Sequence, residues 1–259
     1  MGFIQTILLS MPIALLIIVV VLAAIALSIL GLWIVWQFVP RHILKTHNEL
    51  TDAMLEVISL AYTVLLAFVA VISWQNFDAA KFHAEKEANC LVGLHRSAAA
   101  FEKPFRDELR PLLEDYAHIV INEEWQLLSK GEESAKASAA LRKVWGLYAN
   151  YEPKTEKEKA FFAESLSKLD DLREMRRLRI IDSRSGIHPL LWIILIIGAV
   201  VTVSFTFFFG SDKFIVHAIM ASALAVIIAL ILFTILSFDF PFTGSMRLEP
   251  EIFQQAANF

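Results

Sequence analysis

Not one Asp, Glu, Lys or Arg occurs between Met1 and Pro40, and three further charge-free apolar runs follow: Val57–Phe77, Pro189–Gly210 and Phe214–Phe238. Each holds about 20 residues or slightly more. At 1.5 Å per residue, such a run crosses a hydrocarbon core of about 30 Å. The chain therefore reads as a four-span membrane protein. With 57% hydrophobic residues and a mean hydropathy of +0.58, it does not read as an ordinary soluble enzyme. A net charge of −4 points to no nucleic-acid partner. The lone cysteine, Cys90, excludes an intramolecular disulfide. The first run lacks a basic leader and is too long for a secretory h-region, so it is read as an anchor.

Four spans put the N-terminus, the 78–187 segment and the C-tail on one side of the membrane. Nine basic residues near span ends lie on that side, among them Lys81, Lys86, Arg173, Arg184 and Arg247, against Arg41, Lys45 and Lys213 on the other. The positive-inside rule then places both termini and the middle segment in the cytoplasm. The first helix alone argues the reverse, since its basic residues follow it; the total favours the assignment made here. The predicted organisation is 1–77 for the first two spans, 78–187 for a helical cytoplasmic domain, 188–238 for the last two spans and 239–259 for a C-tail docking on the helical domain. The tail's Phe240, Phe242, Met246, Leu248 and Phe253 are too apolar for a solvated segment.

The middle segment reads as helical throughout. Residues 78–101 contain no Pro and one Gly, so they extend the second span into the cytoplasm. Pro104 suits a first helical turn. Thr155 and Glu158 have capping-box spacing, and the helix they open carries apolar residues every three or four positions.

The second span holds the one pattern with a chemical reading. Glu56, Ser59, Thr63, Leu66, Ala70, Ser73 and Phe77 recur every 3.5 residues on average and share one face. Val57, Val64, Phe68 and Val71 occupy the other. Hydroxyls on such a face can replace part of an ion's hydration shell, and a ring of carboxylates attracts cations. Small and hydroxyl residues also line ordinary helix contacts in lipid, so packing is the competing reading. His83, Glu85, Glu87 and Cys90 lie close together, with His83 and Glu87 an i, i+4 pair; a metal site would need converging ligands and a second shell, and the cluster is read as a solvated helix face. The basic run Arg173–Arg184 suits either anionic headgroups or pairing with Glu164, Asp170, Asp171 and Glu174. No phosphate loop, nucleophile elbow or zinc motif is present; no catalytic, cofactor or metal residue is assigned, and the chain is not read as an enzyme.

Three stretches carry a resemblance. The first is Trp74-Gln75-Asn76-Phe77-Asp78-Ala79-Ala80, followed by Glu87-Ala88-Asn89 and Leu94-His95-Arg96. The second is Tyr116 with Glu123-Glu124-Trp125 and Gly131. The third is Phe240–Pro250 of the C-tail. Together they resemble the bacterial bestrophin-like membrane family. The resemblance implies distant kinship with bestrophins: pentameric ion channels with four spans per subunit, a helical cytoplasmic region and an axial pore lined by the second span. It implies inorganic ions, the lipid bilayer and other copies of the chain as partners. Glu56 then forms a charged outer ring that slightly favours cations, Ser59, Thr63, Ala70 and Ser73 a small or polar lining, Leu66 a hydrophobic constriction and Phe77 a cytoplasmic one. Lys81, just below Phe77, keeps an anion channel open. Animal bestrophins carry a dense acidic calcium clasp after the last span. Here only Asp239, Glu249 and Glu251 fall in that region, so calcium gating is not carried over. The rival reading is a membrane-anchored scaffold whose cytoplasmic helices bind a partner.

Overall fold

The structure, a computed structural model, describes residues 12–244, 246–251 and 253–254, with the backbone alone at 41–43. The start of the first apolar run, and Ser245 and Ile252 of the C-tail, lie outside the described residues. Among them every regular element is helical: α1 (Ile13–Phe38), α2 (Arg41–Thr46), α3 (Asn48–Ser97), α4 (Lys103–Ile119), α5 (Trp125–Leu128), α6 (Ala135–Ala149), α7 (Glu156–Arg184), α8 (Pro189–Thr206) and α9 (Phe214–Asp239). Helices α1, α3, α8 and α9 are long and apolar enough to cross a membrane.

Local chemistry sets the helix ends. Pro12 precedes α1, and Pro40 stops it, because the residue before a proline is pushed out of helical geometry. Pro189 occupies the first turn of α8, where a missing N–H costs nothing, and the His188 side chain accepts from the Leu190 amide at 3.2 Å. Ser134 caps α6 by accepting from the amides of Lys136 and Ala137. The Thr155–Glu158 capping box forms at the start of α7. Helix α3 runs 50 residues with no proline and a single glycine, Gly93, so nothing in it breaks the hydrogen-bond ladder. At 1.5 Å per residue it is roughly 75 Å long.

The chain forms two compact units. Among the described residues, one comprises 12–75 and Gly186–Asp239; the other comprises Asn76–Ser185 and the C-tail from Phe240 on. Helix α3 contributes its first half to one and its second half to the other.

In the span unit, Leu16, Ser28 and Leu32 turn inward from α1, and Tyr62, Leu66, Val69 and Ser73 from α3. The Tyr62 hydroxyl donates to the Leu195 carbonyl of α8 at 3.0 Å. The Tyr62 ring lies directly on Gly198, where a Cβ would be 2.5 Å from it. Asn48 ties the α8–α9 turn down by accepting from the Gly210 amide at 2.8 Å.

The helical unit is built on the second half of α3. Ala80, Ala84, Ala88, Leu91 and Leu94 form its inward face, and the alanines let neighbouring helices come close. Leu109, Leu113, Val144, Leu169 and Leu172 complete a closed core. Phe101, Phe105, Tyr148, Tyr151 and Phe162 stack edge-on and tilted at one end of it. The C-tail packs on this unit: Phe242 and Phe253 are buried against the Trp125 ring, and the Trp125 indole donates to the Leu248 carbonyl at 2.8 Å.

Candidate functional site

Helix α3 presents two different surfaces in the span unit. One packs within the chain and carries Tyr62, Leu66, Val69 and Ser73. The other is exposed and carries Val57, Leu60, Val64, Phe68 and Val71. The sequence-predicted stripe straddles the boundary between them. Glu56 and Thr63 are exposed, and the Glu56 carboxylate has no partner among the described residues. Ser59 and Ala70 are half-buried at the flank, and Ser59 donates its hydroxyl to the Glu56 carbonyl at 3.1 Å. Phe77, in the helical unit, is also half-buried.

Leu66 and Ser73 lie on the packed surface. Leu66 is 4% exposed and packs in a cluster with Leu195, Ile228 and Ile235. Ser73 is fully buried and donates to the Ile235 carbonyl of α9 at 2.9 Å. Both side chains are enclosed by neighbouring helices of the same chain and present almost no open surface. The physical reason is the one weighed from the sequence: a small or hydroxyl residue on a spanning helix serves close packing as readily as an aqueous path.

A second constellation lies in the helical unit, and the sequence does not announce it as a site. The Arg179 guanidinium grips Glu87 with both ends of its fork, Nε to Oε2 at 2.6 Å and Nη2 to Oε1 at 3.0 Å. The Tyr116 hydroxyl donates to the same Glu87 Oε1 at 2.6 Å. Arg176 pairs with Glu124 at 3.0 Å and donates to Ser138 Oγ at 3.0 Å. Glu124 lies 3.8 Å from Arg179 and joins the two pairs. Trp125 and Phe253 flank the Arg179 guanidinium at 5.3 and 5.7 Å, within cation–π range. Glu87, Glu124 and Arg179 are fully enclosed.

Burial pushes the Tyr116 hydroxyl well above its ordinary pKa, and the Glu87 charge adds to that. Burial works against the Arg179 charge, but Glu87 and Glu124 outweigh it and hold the guanidinium above its already high value. The Tyr116 hydroxyl and the Arg179 guanidinium thus keep their protons; Arg179 meets carboxylates through Nε and Nη2, while its Nη1 is buried without a hydrogen-bond partner among the described residues.

A π-turn at Val120–Glu124 delivers Glu124 to this cluster. In an unbroken α-helix Trp125 would sit about 180° around the axis from Tyr116. The extra residue of the π-turn brings it back to about 80°, so Tyr116, Glu124 and Trp125 all point inward. The expected pairing of the basic run with Glu164, Asp170, Asp171 and Glu174 does not occur for Arg176 and Arg179, which bond Glu124 and Glu87 instead. His83 pairs with Asp182 at 2.7 Å, and no cluster of three or more metal-ligating side chains occurs among the described residues. Asp239 accepts from the Ile187 amide at 2.6 Å and the Trp192 indole at 3.1 Å, which fastens the start of α8 to the end of α9.

Four spans, with a helical domain inserted between the second and third, define an all-helical membrane protein of one particular architecture. A model of the bestrophin-like domain matches residues 22–253. The chain belongs to the bestrophin-like family. Two structures of a bacterial bestrophin homologue from Klebsiella pneumoniae share its fold, with TM-scores of 0.70 and 0.69 at 13% identity, over 93% of this chain and 96% of theirs. A structure described as that of a membrane protein gives 0.71 at 12% identity, over 90% of this chain and 94% of its own. None of the curated proteins matches.

Proposed function

We propose that the chain is the subunit of a homo-oligomeric, pentameric ion channel of the bacterial inner membrane, with α3 lining the pore and both termini in the cytoplasm. The observation that carries this is α3 itself. It is one unbroken helix shared by both units, and its exposed surface has no partner among the described residues. Family membership supports the same reading. Glu56 supplies a ring of carboxylates at the outer mouth, repeated once per subunit, and gives a modest cation preference. Thr63 is the open hydroxyl below it, Ser59 and Ala70 lie on the flank, and Phe77 is the bulky ring on the cytoplasmic side. Leu66 and Ser73 have no part in the lining.

The test is cysteine accessibility in a Cys90→Ala background, with liposome flux beside it. Cysteine at Glu56, Thr63 or Ala70 should react with a water-soluble thiol reagent, and Glu56→Gln should lower the cation preference. Labelling at Val57, Val64 and Phe68 instead would keep the channel and move the lining to the apolar surface. A protein that labels on neither surface and carries no flux is a scaffold.

A further inference from the structure

We propose that the cavity between α6 and α7 is a binding site for a phosphate-bearing anion. The cavity measures about 450 Å³ and is lined by Ser138, Leu141, Arg142 and Trp145 of α6 and by Arg173 and Arg176 of α7. Three of these six residues are arginines, and among the described residues no carboxylate lines the cavity. Only one of the three guanidiniums is neutralised. Arg176 is buried, bonded to Glu124 and to Ser138 Oγ. Arg142 and Arg173 are exposed and have neither an ion-pair nor a hydrogen-bond partner among the described residues. The Ser138 hydroxyl accepts from Arg176, which leaves its own proton to donate.

Like charges gathered in one cleft repel, and this cleft holds two uncompensated ones beside a third. A multi-oxygen anion relieves that repulsion. Each guanidinium offers a planar fork of N–H groups that matches two oxygens of a phosphate, a geometry that a halide cannot use. The volume suits a phosphate group with a substituent. A neighbouring cavity of about 620 Å³ shares Arg173 and Arg176 but adds Glu133, Asp170 and Glu174 beside Arg177 and Arg184. Those carboxylates repel an anion, so the phosphate belongs at the α6 end. The basic run that the sequence offers as one surface is thereby divided: Arg176 and Arg179 bond inward, and Arg173 lines the same cavity as Arg142. The phosphate has two possible sources, a soluble phosphate-bearing compound or an anionic lipid headgroup.

The full chain, purified in a neutral detergent, is titrated with pyrophosphate by calorimetry at fixed ionic strength. In parallel, its retained phosphatidylglycerol is counted by native mass spectrometry. Arg142→Gln and Arg173→Gln should each weaken the bound anion roughly tenfold or more, since each removes a charge-assisted pair of hydrogen bonds. Both residues are exposed and unpaired, so melting should stay at the wild-type temperature. Arg247→Gln, a residue on the C-tail bonded to Glu249 at 2.9 Å, should change nothing. Pyrophosphate binding lost in the two variants supports the site with a soluble ligand. Retained phosphatidylglycerol lost in the two variants supports it with a lipid headgroup. Binding of neither, or binding that survives Arg142→Gln and Arg173→Gln made together, overturns the proposal. So does a change in oligomer mass in the variants without anion binding, which would mean that a carboxylate of a second copy fills the cavity.

Discussion

Glu87 shows how one enclosed charge commits its neighbours. Its two oxygens take three donors, from Arg179 and Tyr116, and none of these groups reaches water. Removing one member of such a pair leaves the other charge buried and uncompensated, which costs about 3–5 kcal/mol. Glu87→Gln should therefore lower the melting temperature of the helical unit sharply in circular dichroism. Adding Arg179→Met to it should recover part of the loss, because an apolar side chain of similar length needs no counter-charge. A double variant no more stable than Glu87→Gln would show that the damage is to packing. Tyr116 carries a pH dependence whose sign is fixed by its raised pKa. Both states are protonated below the unfolded tyrosine value near 10, so this contribution is fully present there. Above it the unfolded state ionises first, and stability falls until the folded hydroxyl also titrates. Tyr148, pushed up to about 12 by burial, acts in the same direction. Tyr116→Phe should make the loss of stability above pH 10 shallower in an alkaline melt series. An unchanged slope would assign the whole effect to Tyr148 and other groups.

Whole elements were legible in the sequence, and their facing was not. The four charge-free runs mark the spans because a bilayer tolerates little else, and Thr155 with Glu158 marks the start of α7 because the cap is made by neighbours in the chain. The inward surface of α3 is a different matter. Leu66 and Ser73 belong to a 3.5-residue repeat that packing and pore lining write identically, and the helices that bury them, α8 and α9, lie more than 100 residues further on. The pairing of Glu87 with Arg179 spans 92 positions in the chain and has no local signature. Its one trace was the resemblance itself: Glu87, Tyr116, Glu124 and Trp125, quoted there as scattered motif residues, all meet in the buried cluster. The π-turn left no trace, since one extra residue in a helix changes no spacing that can be recognised without its partners. It does make a prediction for α4 and α5. Deleting the exposed Asn122 should convert the π-turn to an α-turn and leave Tyr116 and Trp125 facing as before, with an axial shift of about 1.5 Å. Helicity and melting should stay close to wild type. Deleting the equally exposed Glu174 from α7, which has no such turn, rotates everything beyond it by about 100° and should unfold the helical unit. Equal damage from both deletions would mean that Asn122 is needed for more than its extra length.

At the scale of the whole molecule, the chain returns to its helical unit after the last span, and this return gives the tail a structural role. Phe242 and Phe253 are 3% and 0% exposed, and both rings lie against Trp125. Phe253 also covers the Arg179 guanidinium from one side. The Gly244 backbone has a φ of +80°, a left-handed conformation that glycine adopts without strain, within the turn between Phe242 and Leu248. Burying the two phenylalanines contributes about 1.5–3 kcal/mol each. Stopping the chain after Asp239 removes that, deprives the Trp125 indole of its acceptor on Leu248, and opens the Glu87–Arg179 pair to solvent on the Phe253 side. The span unit keeps its own contacts, including Asp239 on Ile187 and Trp192. Two effects should separate in one experiment. The truncated protein should remain helical and extractable in detergent, because its spans are intact. Its helical unit should become protease-sensitive and melt at lower temperature, and light scattering should show a loss of the proposed ring oligomer. A truncated protein with wild-type melting and wild-type mass would show that the buried phenylalanines are replaced by other contacts and that the tail is dispensable for assembly.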